Sequence, residues 1–208
     1  MRRPYRARVQ RVPTYGGQVG RMAATIYHIG RAIRQASVYP PIRNLAAALA
    51  TRALPKDFLG QLYEIYKWFL QHWRYVQDPA SRELLTASPE ALYRLVMGAD
   101  GVGVGEGLGA GDCDCATAAL GALFEAIGFR VRIVTTADPW ARPGRLFGHV
   151  FIQALVPQRG WVTVDPVLYS YKNYNRRLKR FGDTAKCSRI AYWSLKGRLL
   201  MARGNLRG

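Results

Sequence analysis

The chain has 208 residues, 49% of them apolar, with 31 Lys/Arg against 13 Asp/Glu for a formal net charge of +18. That length and apolar fraction suit one domain with extensions around a buried core, and ordinary Gly and Pro contents (21 and 11) exclude collagen-like and low-complexity classes. No run of about 18 apolar residues occurs, so no membrane span is expected; three cysteines are too few for a disulfide scaffold, and the expected setting is reducing.

Residues 1–20 lack periodicity and contain Pro13, Gly16 and Gly17, which reads as an extended arm. The start, MRRPYRARVQRVP, is basic but has no apolar core behind it, so no signal peptide is expected. Met22, Ile26, Ile29 and Ile33 fall at helical spacing and predict a helix over 22–36. Pro40 and Pro41 end that segment, and 42–53 reads as a short alanine-rich helix. Up to residue 56 the chain holds eleven bases and no acid; the first carboxylate is Asp57. Phe58, Leu62, Ile65, Phe69 and Trp73 predict a helix over 56–74. Ser88, Pro89 and Glu90 form a helix start, with a hydroxyl cap, a first-turn proline and an acid at the positive end; that helix stops near Gly98.

Residues 98–111 carry glycine at 98, 101, 103, 105, 107, 109 and 111. No Gly-Lys-Ser/Thr follows and no strand precedes, so this is a connector and not a phosphate loop; its delivery into the next motif makes it a flap candidate. A helix over 112–127 follows, with Asp112 as N-cap and Gly128 placed to end it. VRIVTT (131–136), GHVFIQALV (148–156) and WVTVDP (161–166) read as strands, the last two joined by a PQRG turn. Helices followed by strands predict an α+β fold. Residues 172–208 hold eleven bases and one acid, Asp183, with a helix predicted over 189–203. This leaves nine of the 31 bases and twelve of the 13 acids for residues 57–171, a near-neutral centre between cationic arms. Such arms bind nucleic acid or acidic protein surfaces, or are simply solvated. YNRRLKRFG (174–182) interleaves aromatics with bases, as nucleic-acid surfaces do.

Cys113 stands at a helix start, where unpaired amides and the dipole favour an anion and so a thiolate. The amide there also lies near the oxyanion that forms when the sulfur attacks a carbonyl. A second donor is expected from the preceding helix region, where His72 and Trp73 lie, though an aromatic at a helix end usually packs into the core. A thiolate nucleophile needs an imidazole to protonate the leaving group and a third group to orient it. The chain has three histidines; His28 and His72 lie in helical segments and His149 in a strand. If 148–156 and 161–165 pair about Pro157, opposed positions sum to about 314 and His149 faces Asp165. A Cys113, His149, Asp165 triad is therefore favoured over the commoner role of Asp-Pro as a strand-end turn. A metal site using Cys113, Cys115, Cys187 and a histidine is the competing use of the thiols, but the paired Cys-x-x-Cys spacing is missing.

These residues resemble the transglutaminase-like superfamily of papain-type cysteine enzymes: Gly111-x-Cys113, the helix ending at Gly128, Arg132, Gly148-His149-Val150 and Trp161-x-x-x-Asp165-Pro166. The likeness is to bacteriophage-encoded members, whose signature is Gly-Asp-Cys-Asp-Asp and whose upstream pattern matches Tyr75-Val-Gln-Asp78-Pro79 and Glu83-Leu84. The resemblance implies a catalytic core over 55–171 between a basic N-terminal arm with short helices (1–54) and a basic C-terminal extension (172–208). In that core a Cys-bearing helix packs on an antiparallel sheet. It implies catalysis by Cys113, His149 and Asp165 without cofactor or metal, on a peptide or peptidoglycan amide. The implied setting is the host cytoplasm during infection, or the virion. The family's second aspartate is Cys115 here; two residues turn a helix about 200°, so both thiols cannot face one site. Cys113 is thus the nucleophile and Cys115 a small buried residue. The alternative is a non-catalytic virion or assembly protein whose basic arms grip neighbouring subunits or nucleic acid.

Overall fold

The computed structural model describes residues 17–77, 88–97, 109–137, 148–166 and 189–203. Of the expected arm over 1–20, residues 17–20 are helical instead and the rest lies outside the described residues, as do most of the glycine-rich connector (98–108), the 174–182 segment and Cys187. The elements run α1 (Gly17–Ser37), α2 (Pro40–Ala50), α3 (Phe58–His72), β1 (Trp73–Tyr75), α4 (Pro89–Met97), β2 (Gly109–Gly111), α5 (Cys113–Ala126), β3 (Arg130–Ala137), β4 (His149–Val156), β5 (Gly160–Val164), β6 (Arg189–Trp193) and β7 (Leu199–Arg203).

Helix α5 is the centre of the molecule: every residue from 114 to 124 is buried. Its small residues make this arrangement feasible. Ala116, Ala118, Ala119, Gly121 and Ala122 leave a thin helix that neighbours approach closely. A Cβ on Gly121 would stand 2.6 Å from Ile33 Cδ1, so α1 lies directly on it. Helix α1 turns Ile26, Ile29, Ile33 and Ala36 inward at three- to four-residue spacing, and α2 does the same with Ile42, Ala46 and Leu49. Helix α3 contributes Leu62, Ile65, Tyr66 and Phe69. The helix ends follow local chemistry. Asp57 Oδ1 accepts the Gly60 amide at 2.9 Å, and Ser88 Oγ accepts the Ala91 amide at 3.1 Å. At the end of α5, Gly128 takes φ +91°, the Gly128 amide donates to the Glu125 carbonyl and the Phe129 amide to the Phe124 carbonyl. That pattern is a Schellman stop.

A five-stranded antiparallel sheet of order β5-β4-β3-β6-β7 covers α5. Val131, Ile133, Val150, Ile152, Ala154, Val162, Val164, Ala191 and Trp193 join the helical core. Val134, Phe151, Ile190 and Tyr192 form a second cluster of their own, as the period-two alternation of strands requires. Strands β1 and β2 make a separate parallel pair, Trp73 opposite Gly109 and Tyr75 opposite Gly111, which ties the end of α3 to the residues just before Cys113. An α+β fold with the cysteine helix on an antiparallel sheet is what the residues predict.

The helix predicted over 189–203 is instead the β6–β7 hairpin. Ile190 and Tyr192 enter one cluster while Ala191 and Trp193 enter the other, so both faces of β6 are buried. The resulting unbroken apolar run does not distinguish a strand from a helix by period. Ser194 and Gly197 (φ +72°) close the turn, with the Ser194 amide donating to the Arg198 carbonyl at 2.9 Å. The turn rests on α1: Arg34 donates to the Leu195 carbonyl, and a Cβ on Gly30 would overlap that same oxygen. Among the described residues no helix is long and apolar enough to cross a membrane.

Candidate active site

Cys113 is the first residue of α5 and is half-buried. Asp112 caps the helix, its carboxylate 3.3 Å from the Asp114 amide and 3.5 Å from the Cys115 amide, while Asp114 Oδ1 accepts the Cys115 amide at 2.6 Å. Cys115 is buried, as expected, its Cβ against Gly111. Asp112, Asp114 and Cys115 bring ligand-type atoms within 4.8 Å of one another, but two of their carboxylate oxygens already serve the helix start.

His149 opens β4, and its Nε2 lies 2.7 Å from Asp165 Oδ2. The imidazole is 16% exposed and the carboxylate 3%. A carboxylate only accepts, so the Nε2 proton points to Asp165 and Nδ1 is the ring nitrogen left to face another group. The strand register differs from expectation. Ile152 opposes Val164 and Val156 opposes Gly160, so paired positions sum to 316 and not 314. The turn takes residues 157–159, with Gln158 at φ +63° and Gly160 at φ +78°. An offset of two preserves the face. Asp165 therefore stands opposite Phe151, two residues along from His149 on the same side of the sheet, and reaches the imidazole diagonally. Tyr66 of α3 donates its hydroxyl to the Asp165 carbonyl at 3.1 Å in a buried setting, which fixes the aspartate's backbone.

Thr117 ties α5 to β4. Its hydroxyl lies 2.6 Å from the Cys113 carbonyl and 3.1 Å from the Val150 carbonyl, so one proton links the first turn of α5 to the residue beside His149. Val150 turns its side chain into the helical core, whereas His149 alternates to the sheet face it shares with Phe151. Neither Thr117 nor Tyr66 stands out in the sequence as a site residue. The available signal was indirect: each is a hydroxyl on an otherwise apolar helix face, where it needs a partner.

Trp73 follows α3 in β1 and stacks on Phe69 with centroids 4.8 Å apart. Its indole nitrogen is buried and has no hydrogen-bond partner among the described residues. The ring edge next to that nitrogen borders Gly111: a Cβ there would stand 2.9 Å from Trp73 Cζ2. A donor thus sits unused beside the strand that leads into Cys113. His72 differs, since its Nδ1 is 2.8 Å from the Trp68 carbonyl and its ring stacks on Trp68. His28 belongs to α1, with its ring against Tyr27 at 5.6 Å; burial, and then the Arg31 charge, hold it below the usual histidine range.

No protein of curated function matches the chain. Among solved structures, a candidate protease from Parabacteroides distasonis is similar with a TM-score of 0.52 and 10% identity, over 86% of this chain and 30% of that one. The Rad4/XPC nucleotide excision repair complex gives 0.47 and 12%, over 89% and 47%, and Rad4–Rad23 bound to a 6-4 photoproduct lesion gives 0.41 and 14%, over 82% and 42%. The chain spans less than half the length of these three proteins, and likeness at such identity concerns the fold alone. The model of the transglutaminase-like superfamily matches residues 43–166, from within α2 to the residue after Asp165. That match covers more than half of the chain and agrees with its helix-on-sheet core, and the chain belongs to the transglutaminase-like superfamily.

Proposed function

We propose that this protein is a cysteine-dependent amide hydrolase or acyl transferase that works through a thioester on Cys113. The observation that carries the reading is the His149–Asp165 hydrogen bond, with the residue after His149 tied through Thr117 to the helix turn that begins with Cys113. His149 Nδ1 takes the thiol proton, and the sulfur attacks the amide carbon. The backbone amide at the start of α5 and the Trp73 indole N–H receive the developing oxyanion, the latter being a buried donor with no competing acceptor among the described residues. The imidazolium, oriented and stabilised by Asp165, then gives its proton to the departing nitrogen as the C–N bond breaks. Attack on the thioester by water completes hydrolysis; attack by a second amine completes transamidation.

The phage-like run Gly111-Asp112-Cys113-Asp114 favours peptidoglycan cross-links or proteins of phage or host as the amide source. The setting that goes with it is the infected cell or the particle. Incubating the chain with muropeptides and with casein, adding hydroxylamine to trap the acyl group as a hydroxamate, tests this. Product and hydroxamate are expected from the wild type and neither from Cys113→Ala; product persisting in that variant would overturn the mechanism.

A further inference from the structure

Arg132 in β3 is a cation held without a counter-charge among the described residues. Its guanidinium carbon lies over both the Trp161 and the Tyr192 ring, 4.2 Å from each centroid. Its Nε donates to Gln153 Oε1 at 2.8 Å, and Gln153 Nε2 in turn donates to Thr163 Oγ1 at 2.9 Å. Gln153 is buried, and both ends of its amide are engaged, so its oxygen is locked toward the arginine. The clamp draws on three other strands of the sheet: Gln153 from β4, Trp161 and Thr163 from β5, Tyr192 from β6. All three side chains that touch Arg132 are neutral.

Such a clamp fixes the fork in advance. Both aromatic rings attract the guanidinium as cation–π partners and hold it in place. The Nε edge is occupied, and the outer Nη edge remains with its donors in the planar geometry that grips a carboxylate or phosphate in two places. Burial lowers the Arg132 pKa, with Tyr192 acting in the opposite direction. Arg132 opposes Gln153, four residues along β4 from His149 on the same sheet face, about 13 Å at the usual strand rise. This group is therefore separate from the His149–Asp165 pair.

We propose that Arg132 anchors an anion site, taking a carboxylate or phosphate group of a ligand on the sheet face turned away from α5. The test titrates the full chain, carrying nitrogen-15 arginine, with sodium acetate and separately with sodium phosphate. Saturable shifts of the Arg132 side-chain resonances are expected with at least one of them, while exposed Arg52 shifts without saturating. Saturation by acetate alone assigns a carboxylate ligand and by phosphate alone a phosphate ligand, and either upholds the site. In Gln153→Glu the introduced carboxylate occupies the arginine, and affinity is expected to fall roughly tenfold or more. Undiminished affinity in a folded Gln153→Glu, or no saturable shift at Arg132 in the wild type with either anion, overturns the proposal. The wild-type titration decides alone if the variant does not fold.

Discussion

Asp165 illustrates how much of this site depends on single atoms. Its carboxylate holds His149 Nε2, its carbonyl accepts from Tyr66, and its side chain is 3% exposed. Asp165→Asn keeps an acceptor for Nε2–H yet removes the charge that stabilises the imidazolium. On the proposed mechanism kcat/KM falls by a factor on the order of 10² to 10⁴ with the fold intact. Steady-state kinetics beside a thermal melt check this, and a loss of less than twofold would deny Asp165 its orienting role. Tyr66→Phe leaves the buried Asp165 carbonyl without that donor and is expected to cost about 1–3 kcal/mol in urea unfolding. Because Tyr66 acts through Asp165, kcat should drop while KM stays put; a change confined to KM would place Tyr66 on the substrate instead.

Among the elements, α1 and α3 were legible from an apolar stripe at three- to four-residue spacing, α4 from its serine cap and first-turn proline, and α5 from a capping aspartate and a terminating glycine. The His149–Asp165 pairing was legible by parity even though the register differs by two, because the face depends only on whether the sum is even. Hairpin β6–β7 was not legible, since a strand buried on both faces loses its alternation. Trp73 was hard to read for a related reason. The apolar spacing of α3 continues through it, but the helix stops at His72 and Trp73 is extended (φ −123°, ψ 132°). The β6–β7 turn also shows why α1 is part of the fold, through the contact of Gly30 with the Leu195 backbone. Gly30→Ala is expected to cost about 1–3 kcal/mol or more, read from the urea midpoint, because a backbone oxygen cannot step aside as a side chain does. Gly148→Ala, where an added Cβ meets nothing within 4 Å, serves as the neutral control. Equal midpoints for the two variants would show that α1 does not rest on the turn.

For the whole molecule, the +18 charge is carried by residues 1–56 and 172–208, outside the near-neutral centre. Among described residues, Arg31, Arg43, Arg52 and Lys56 are exposed. If those segments engage phosphates, binding to single-stranded or duplex DNA should weaken steeply with salt, by a log–log slope of roughly −0.7 to −0.9 per phosphate contacted. A flat dependence would remove nucleic acid as a partner of the charged ends. This measurement is independent of the chemistry at Cys113, since a scaffold and an enzyme can carry the same basic extensions.

The central claim is that Cys113 is activated by His149. Alkylation with iodoacetamide at neutral pH, followed residue by residue by mass spectrometry in the wild type and in His149→Ala, tests it most directly. Cys113 is expected to react much faster than buried Cys115, and the His149→Ala change to slow Cys113 without affecting Cys115. Equal slow rates at both thiols, or a Cys113 rate indifferent to the loss of His149, would contradict it.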